Sequence, residues 1–509
     1  MDISTTSKDD CILKRTATTI LFKTKEIIHF LLSLQTTCLI ALLFTVTQCQ
    51  TRTSHVNNTN STLDSLLIEE IQLTHLPQGH FLNQRQAFSP DNEYLVFDNR
   101  NDDSQIGENG SIQLVHIASK QVETVYEIPN QSFFGPGSGA VSFHPSQKKI
   151  VFIHGLNNAS ESIPYGVTRR IAMQVNLEKE NQFTRLEARD VVTPYTKGAL
   201  RGGSHAYSYS SDGQLLSFTY NDAILADESV TNPEVRDLRT VGAFLLDKQV
   251  SILGEGNEEN FDGNGFAFLL AEVTGNPKPG SDEISKAYEE CWVGNAGYSK
   301  LDGTIQKRAM AFLGDVISES GEKVTEVFIA DIPANSASII ESVNAGSRIS
   351  LPSIPAGVRQ RRLTFTTGNK YPGIQGPRQW LRTSPDGDAI YFYRKDDSGV
   401  VQIYSVSPNG GECNPVTANG FSSDTSFSLS SDGKYLAYGA KEALYITRVS
   451  DGKTSKILDA PDTAYSSLSN INWSNSGHTL AYNRKVDQDG QAFFQIFILN
   501  LTAFLNHNL

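Results

Sequence analysis

The chain has 509 residues, with 43 Lys and Arg against 56 Asp and Glu and a formal net charge of −13. Hydrophobic residues make up 39% and charged residues 19%, which is the composition of a folded chain and not of a disordered one. An acidic chain without a basic stripe argues against nucleic acid as a partner, because phosphate binding needs clustered Lys and Arg.

Residues 1–49 read as an export segment. Lys8, Lys14, Arg15, Lys23 and Lys25 precede an apolar run over residues 27–46, and a polar linker follows over residues 50–68. Val46-Thr47-Gln48-Cys49 resembles a bacterial lipoprotein box, with Gln48 where that box carries a small residue. Three outcomes fit the segment: a lipid on Cys49, an ordinary cleaved signal, or an uncleaved membrane anchor. Each places the protein in the periplasm or cell envelope, touching the membrane only through this segment. The five cysteines contain no Cys-x-x-Cys pair, which excludes a zinc knuckle or a dithiol redox motif. Cys291 and Cys413 fall in different repeat units and are expected as two separate buried thiols.

From about residue 85 onward one unit recurs: an apolar strand, a tight polar turn, and a second apolar strand. The turns are Pro90-Asp91-Asn92, Pro145-Ser146-Gln147, Ser211-Asp212-Gly213, Pro385-Asp386-Gly387, Ser431-Asp432-Gly433 and Asn475-Ser476-Gly477. Leu301-Asp302-Gly303 is a degenerate seventh. Asp-Gly and Asn-rich turns supply the positive φ and side-chain-to-backbone bonds of hairpins, and the β-branched and aromatic runs after them fit buried strands. Units of three or four antiparallel strands repeating in this way predict an all-β fold, a β-propeller over residues 69–509. Seven blades are expected, or six if the degenerate unit belongs to an insertion. Residues 70–76 read as a strand without a blade, positioned to complete the last blade and close the ring.

These turns, flanked by aromatic strands, are similar to the repeats of TolB-like β-propellers of the WD40-like kind. Longer stretches, such as Thr193-Pro194-Tyr195-Thr196-Lys197-Gly198 and Gln360-Arg361-Arg362-Leu363, resemble an uncharacterised bacterial subgroup of them. That resemblance implies the fold and a cell-envelope setting. A fainter one, to oligogalacturonate lyase propellers, implies a histidine-bound metal. Phe152-Ile153-His154-Gly155 and Gly203-Ser204-His205-Ala206-Tyr207 fall at comparable places, but Gln379-Trp380-Leu381-Arg382-Thr383 stands where a further pair of His is expected.

His205 follows Arg201-Gly202-Gly203-Ser204, where two glycines allow close backbone approach. Innermost strands line the channel of a propeller, so Arg201, His205, Tyr207 and His154 are candidates for a general base or ligand site, with His154 and His205 as the metal pair. The alternative for His205 is a hydrogen bond to a neighbouring blade, the glycines merely making a tight turn. Arg169 and Arg170 form either a carboxylate-binding corner or a solvated surface pair. Residues 223–300 read as an inter-blade insertion, in which 281–290 is helix-compatible, with Ser281 as cap. That helix would either lie over the channel mouth as a lid or docking surface, anchored by Tyr288 and Trp292, or patch a sheet edge.

Asp91, Asp212, Asp386 and Asp432 occupy one repeated turn position and are therefore structural rather than catalytic. No Gly-x-Ser-x-Gly elbow, P-loop or dinucleotide fingerprint is present. The expected function is that of an exported, monomeric propeller binding an envelope protein or small ligand. The alternative is a lyase or hydrolase of an acidic oligosaccharide, using a divalent metal ion at His154 and His205.

Overall fold

The computed structural model describes residues 68–179, 182–461 and 467–507. Residues 1–49, read above as an export segment, with Cys49, and nearly all of residues 50–68 lie outside these residues. Seven antiparallel sheets follow one another along the chain and form the blades of a propeller. In blade 3, for example, the strands Gly202–Tyr209, Leu215–Asp222, Thr240–Val250 and Gly263–Leu269 run from the channel outward. Blade 1 begins at Phe88, which bridges to Leu95, and continues through Tyr94–Asp98, Ser111–His116 and Val122–Glu127.

The ring closes as the sequence predicts. Glu70–Gln72 pairs antiparallel with Gln491–Asn500, the third strand of blade 7, in the register Glu70↔Leu499 and Ile71↔Ile498. The Glu70 carboxylate also accepts from Tyr482 Oη (2.6 Å) and Arg484 Nε (2.7 Å), tying the first strand to the last blade by side chains as well.

Seven hydrophobic clusters lie at the seven blade-to-blade interfaces. Strand alternation divides each blade between two of them. Leu95 and Phe97 pack toward blade 7, whereas Val96 packs toward blade 2. Both faces of each blade are therefore buried, which is why the strands read as apolar runs and not as alternating ones.

Two expectations are corrected. Residues 281–292 do not form a helix, because Ala287–Trp292 is the innermost strand of blade 4, paired with Ala309–Ile317. Ser281 makes a turn instead, donating to the Lys278 carbonyl and accepting from Glu283 N. Pairing and burial at the ring's centre override a local sequence compatible with helix. Residues 223–300 are likewise not one insertion, since they supply the third and fourth strands of blade 3 and the innermost strand of blade 4. The short helix in this stretch is Ala223–Glu228, capped by Asp222, whose carboxylate accepts from Leu225 N at 3.0 Å. Among the described residues, no helix is long and apolar enough to cross a membrane.

Candidate functional site at the channel mouth

The innermost strands begin at one mouth of the channel, and antiparallel pairing puts the repeated turns on the opposite rim. Five of the innermost segments carry a non-glycine residue with positive φ at a matching position: Gln86, Ala140, Ala206, Glu289 and Asn470, between 51° and 62°. Register shifts accompany four of them, at Ala140, Ala206, Glu289 and Asn470. Bulges of this kind re-aim side chains where a strand meets a site. Here they surround a cavity of about 680 Å³.

Two guanidinium groups span the channel beside this cavity. Arg85 of blade 1 donates to the Ala206 carbonyl (2.5 Å) and the Glu290 carbonyl (2.8 Å), and lies 5.1 Å from the Trp380 ring centre. Arg382 of blade 5 donates to the Gln84 carbonyl at 2.7 Å, and burial together with Arg85 pulls it down to about 9.

Arg170, Arg239 and Lys286 line the cavity, and none has a carboxylate oxygen within 4.0 Å among the described residues. The Lys286 ammonium sits 4.0 Å from the Tyr288 ring centre, and Arg239 Nε donates to Asn221 Oδ1 at 3.2 Å. Burial lowers both of these cations below their ordinary values, Arg239 being lowered further by Arg170 and Lys286 by Arg239. His205 is buried among them with Nδ1 unpartnered. Burial, and then Arg170, Arg239, Arg378 and Arg85, hold its imidazole well below the usual histidine value, so it is neutral at physiological pH. Glu289 is pushed up to about 7 by burial, against the pull of Arg378 and Lys286.

The other sequence candidates are placed elsewhere. His154 Nε2 contacts Tyr126 Oη at 2.7 Å, on the outermost strand of blade 1, and its Nδ1 contacts the Gly155 carbonyl. It therefore points away from the channel, and burial lowers it to about 4. Both ring nitrogens of His154 are engaged, and no group of three His, Cys, Asp or Glu among the described residues could hold a metal ion. The His154 and His205 pair thus does not fit a metal centre. Arg201 is paired with Asp222 (2.6 Å) and donates to the Ser347 and Ser350 carbonyls, so its charge is already matched. Arg169 pairs with Glu259. Tyr207 contacts Ser204 inside the blade 2–3 interface, and Trp292 Nε1 donates to the Ser208 carbonyl. Of the predicted set, Arg170, His205 and Tyr288 meet at the cavity. Cys291 and Cys413 are free thiols, the first buried and the second half-buried.

The glycine reading holds: a Cβ on Gly203 would lie 1.9 Å from the Val167 carbonyl oxygen. Sequence reasoning missed Arg239, Lys286, Glu289 and Arg378. The available signal was position, since each lies in or just before a strand that opens onto the mouth.

The family described as "Protein of unknown function (DUF3748)" matches residues 137–257, a span that contains Arg170, His205 and Arg239. The "Uncharacterized protein YidR" of Escherichia coli (strain K12) is 35% identical over 393 residues, covering 76% of this chain and 88% of that protein. The chain belongs to the YidR family. Among solved structures, this YidR-family chain is similar to an oligogalacturonate lyase from Vibrio parahaemolyticus, at 11% identity and TM-score 0.49, covering 86% of this chain and 95% of that one. It is also similar to TolB from Acinetobacter baumannii, at 13% identity and TM-score 0.32, covering 80% of each.

Proposed function

We propose that this YidR-family propeller works in the cell envelope by binding a small anionic ligand at its channel mouth. The observation that carries the reading is the convergence of Arg170, Arg239 and Lys286, without carboxylate partners among the described residues, on one cavity of a chain with net charge −13. Cations gathered against the overall charge are costly to bury together and are compensated when an anion enters. Guanidinium groups suit carboxylate or phosphate oxygens through paired N–H donors, and neutral His205 adds a hydrogen-bonding group. The envelope setting rests on the basic and apolar N-terminal segment.

The test is calorimetric titration of the purified protein with citrate, inorganic phosphate and pyrophosphate at constant ionic strength. At least one is expected to bind the wild type and to bind an Arg170→Gln/Arg239→Gln variant at least tenfold more weakly. Equal binding by the two proteins would remove the cavity as the site.

A further inference from the structure

Arg378, on the segment leading into blade 5, pairs with Asp103, on a loop of blade 1, at 2.7 Å. Blades 1 and 5 are not neighbours in a ring of seven, so this ion pair crosses the mouth. Asp103 is presented from a firm base. Arg100 donates to its carbonyl (2.8 Å) and its carboxylate (3.2 Å), and is itself gripped by buried Asp98 at 2.7 and 2.9 Å. Arg378 rests over Trp380 at 4.5 Å and lies 3.8 Å from Glu289. Both partners of the crossing pair are more than half exposed, at 53% and 58%, so the pair is weak and exchangeable.

Arg100 is matched by Asp98, so Arg170, Arg239, Lys286 and Arg378 face Asp102, Asp103 and Glu289 in the cavity lining, and Glu289, pushed up to about 7, is only partly ionised at neutral pH. The positive excess is therefore greater than one charge, and a monoanion leaves part of it unmatched. We propose that the ligand carries at least two anionic groups, one held by Arg170, Arg239 and Lys286 and the other displacing Asp103 from Arg378. Asp103 is then a built-in competitor that sets a threshold of charge for binding. This inference rests on the anion-site reading above and names the class of ligand, a multiply charged polycarboxylate or polyphosphate.

The test compares citrate, pyrophosphate and acetate on the wild type, Asp103→Asn and Arg378→Gln proteins, at constant ionic strength. Asp103→Asn is expected to bind citrate or pyrophosphate about two- to fivefold more tightly, the range set by loss of an exposed ion pair. Arg378→Gln is expected to bind the same probe more weakly, and acetate should bind none of the three measurably. Citrate preferred over pyrophosphate assigns a polycarboxylate, and the reverse a polyphosphate. Unchanged or weaker binding by Asp103→Asn, including no binding by any of the proteins, overturns the inference. If that occurs while Arg170→Gln/Arg239→Gln still abolishes binding, the gate fails and the anion site stands.

Discussion

On the rim of repeated turns, charged and polar groups are satisfied within a few residues of themselves, whereas at the channel mouth they are not. Ser430 Oγ donates to Asp432 Oδ1 (2.7 Å) and accepts from Tyr435 N (3.0 Å), and Asp432 accepts from Lys434 N (3.1 Å). The same bonds recur at Ser89–Asp91, Ser210–Asp212 and Ser384–Asp386. At the mouth, Arg170, Arg239 and Lys286 come from different segments and meet with no carboxylate oxygen within 4.0 Å of any of them among the described residues. Repetition with local satisfaction marks structure. Convergence without satisfaction marks a place where something else must supply the missing charge.

The comparison breaks most severely at Arg85, a mouth residue with a structural task. Arg85→Met leaves the buried Glu290 carboxyl without its cation, and should cost about 3–5 kcal/mol by denaturant midpoint. A loss below about 1 kcal/mol would show that the strut is dispensable.

Glu187 sharpens the contrast, since it lies beside Ser204 near the mouth and is under-paired in the opposite sense. Burial pushes it up to about 8, although Ser204 Oγ and Ala172 N donate to it. The folded state holds its proton more tightly than the unfolded chain does. Its stabilisation is therefore complete below the ordinary carboxyl value and is lost as pH rises toward 8. Stability should fall by on the order of 3–4 kcal/mol between about pH 5 and 8, and Glu187→Gln should flatten that slope. An unchanged slope in the variant would assign the pH dependence elsewhere.

The smallest effect belongs to the turn rim. Ser430→Ala should cost about 1 kcal/mol by thermal unfolding and leave anion binding at wild-type strength. Altered binding would mean that the two rims are coupled.

Much of the fold was legible. The turns could be read because their bonds span two to five residues, and the closing strand because a single unpaired strand at one end matched a missing one at the other. His205 was legible as a mouth residue through Gly202 and Gly203, whose closeness to backbone leaves no room for a side chain. The strand Ala287–Trp292 was not, because its partner Ala309–Ile317 and its place at the channel come from the ring and not from its own residues. His154 was misplaced for a similar reason: strand position alone does not say which blade its ring will face.

The amino-acid sequence by itself determined the repeated turns, the strands that flank them and the closure of the ring, since each depends on residue type over short distances or on repetition. Only the tertiary structure decided which charges stand alone. Asp103 meets Arg378 across 275 positions, and Arg201 finds Asp222 while Arg170 finds no carboxylate among the described residues. Charge compensation acts through space over a few ångströms, so it is settled by which blades converge and not by the order of residues along the chain.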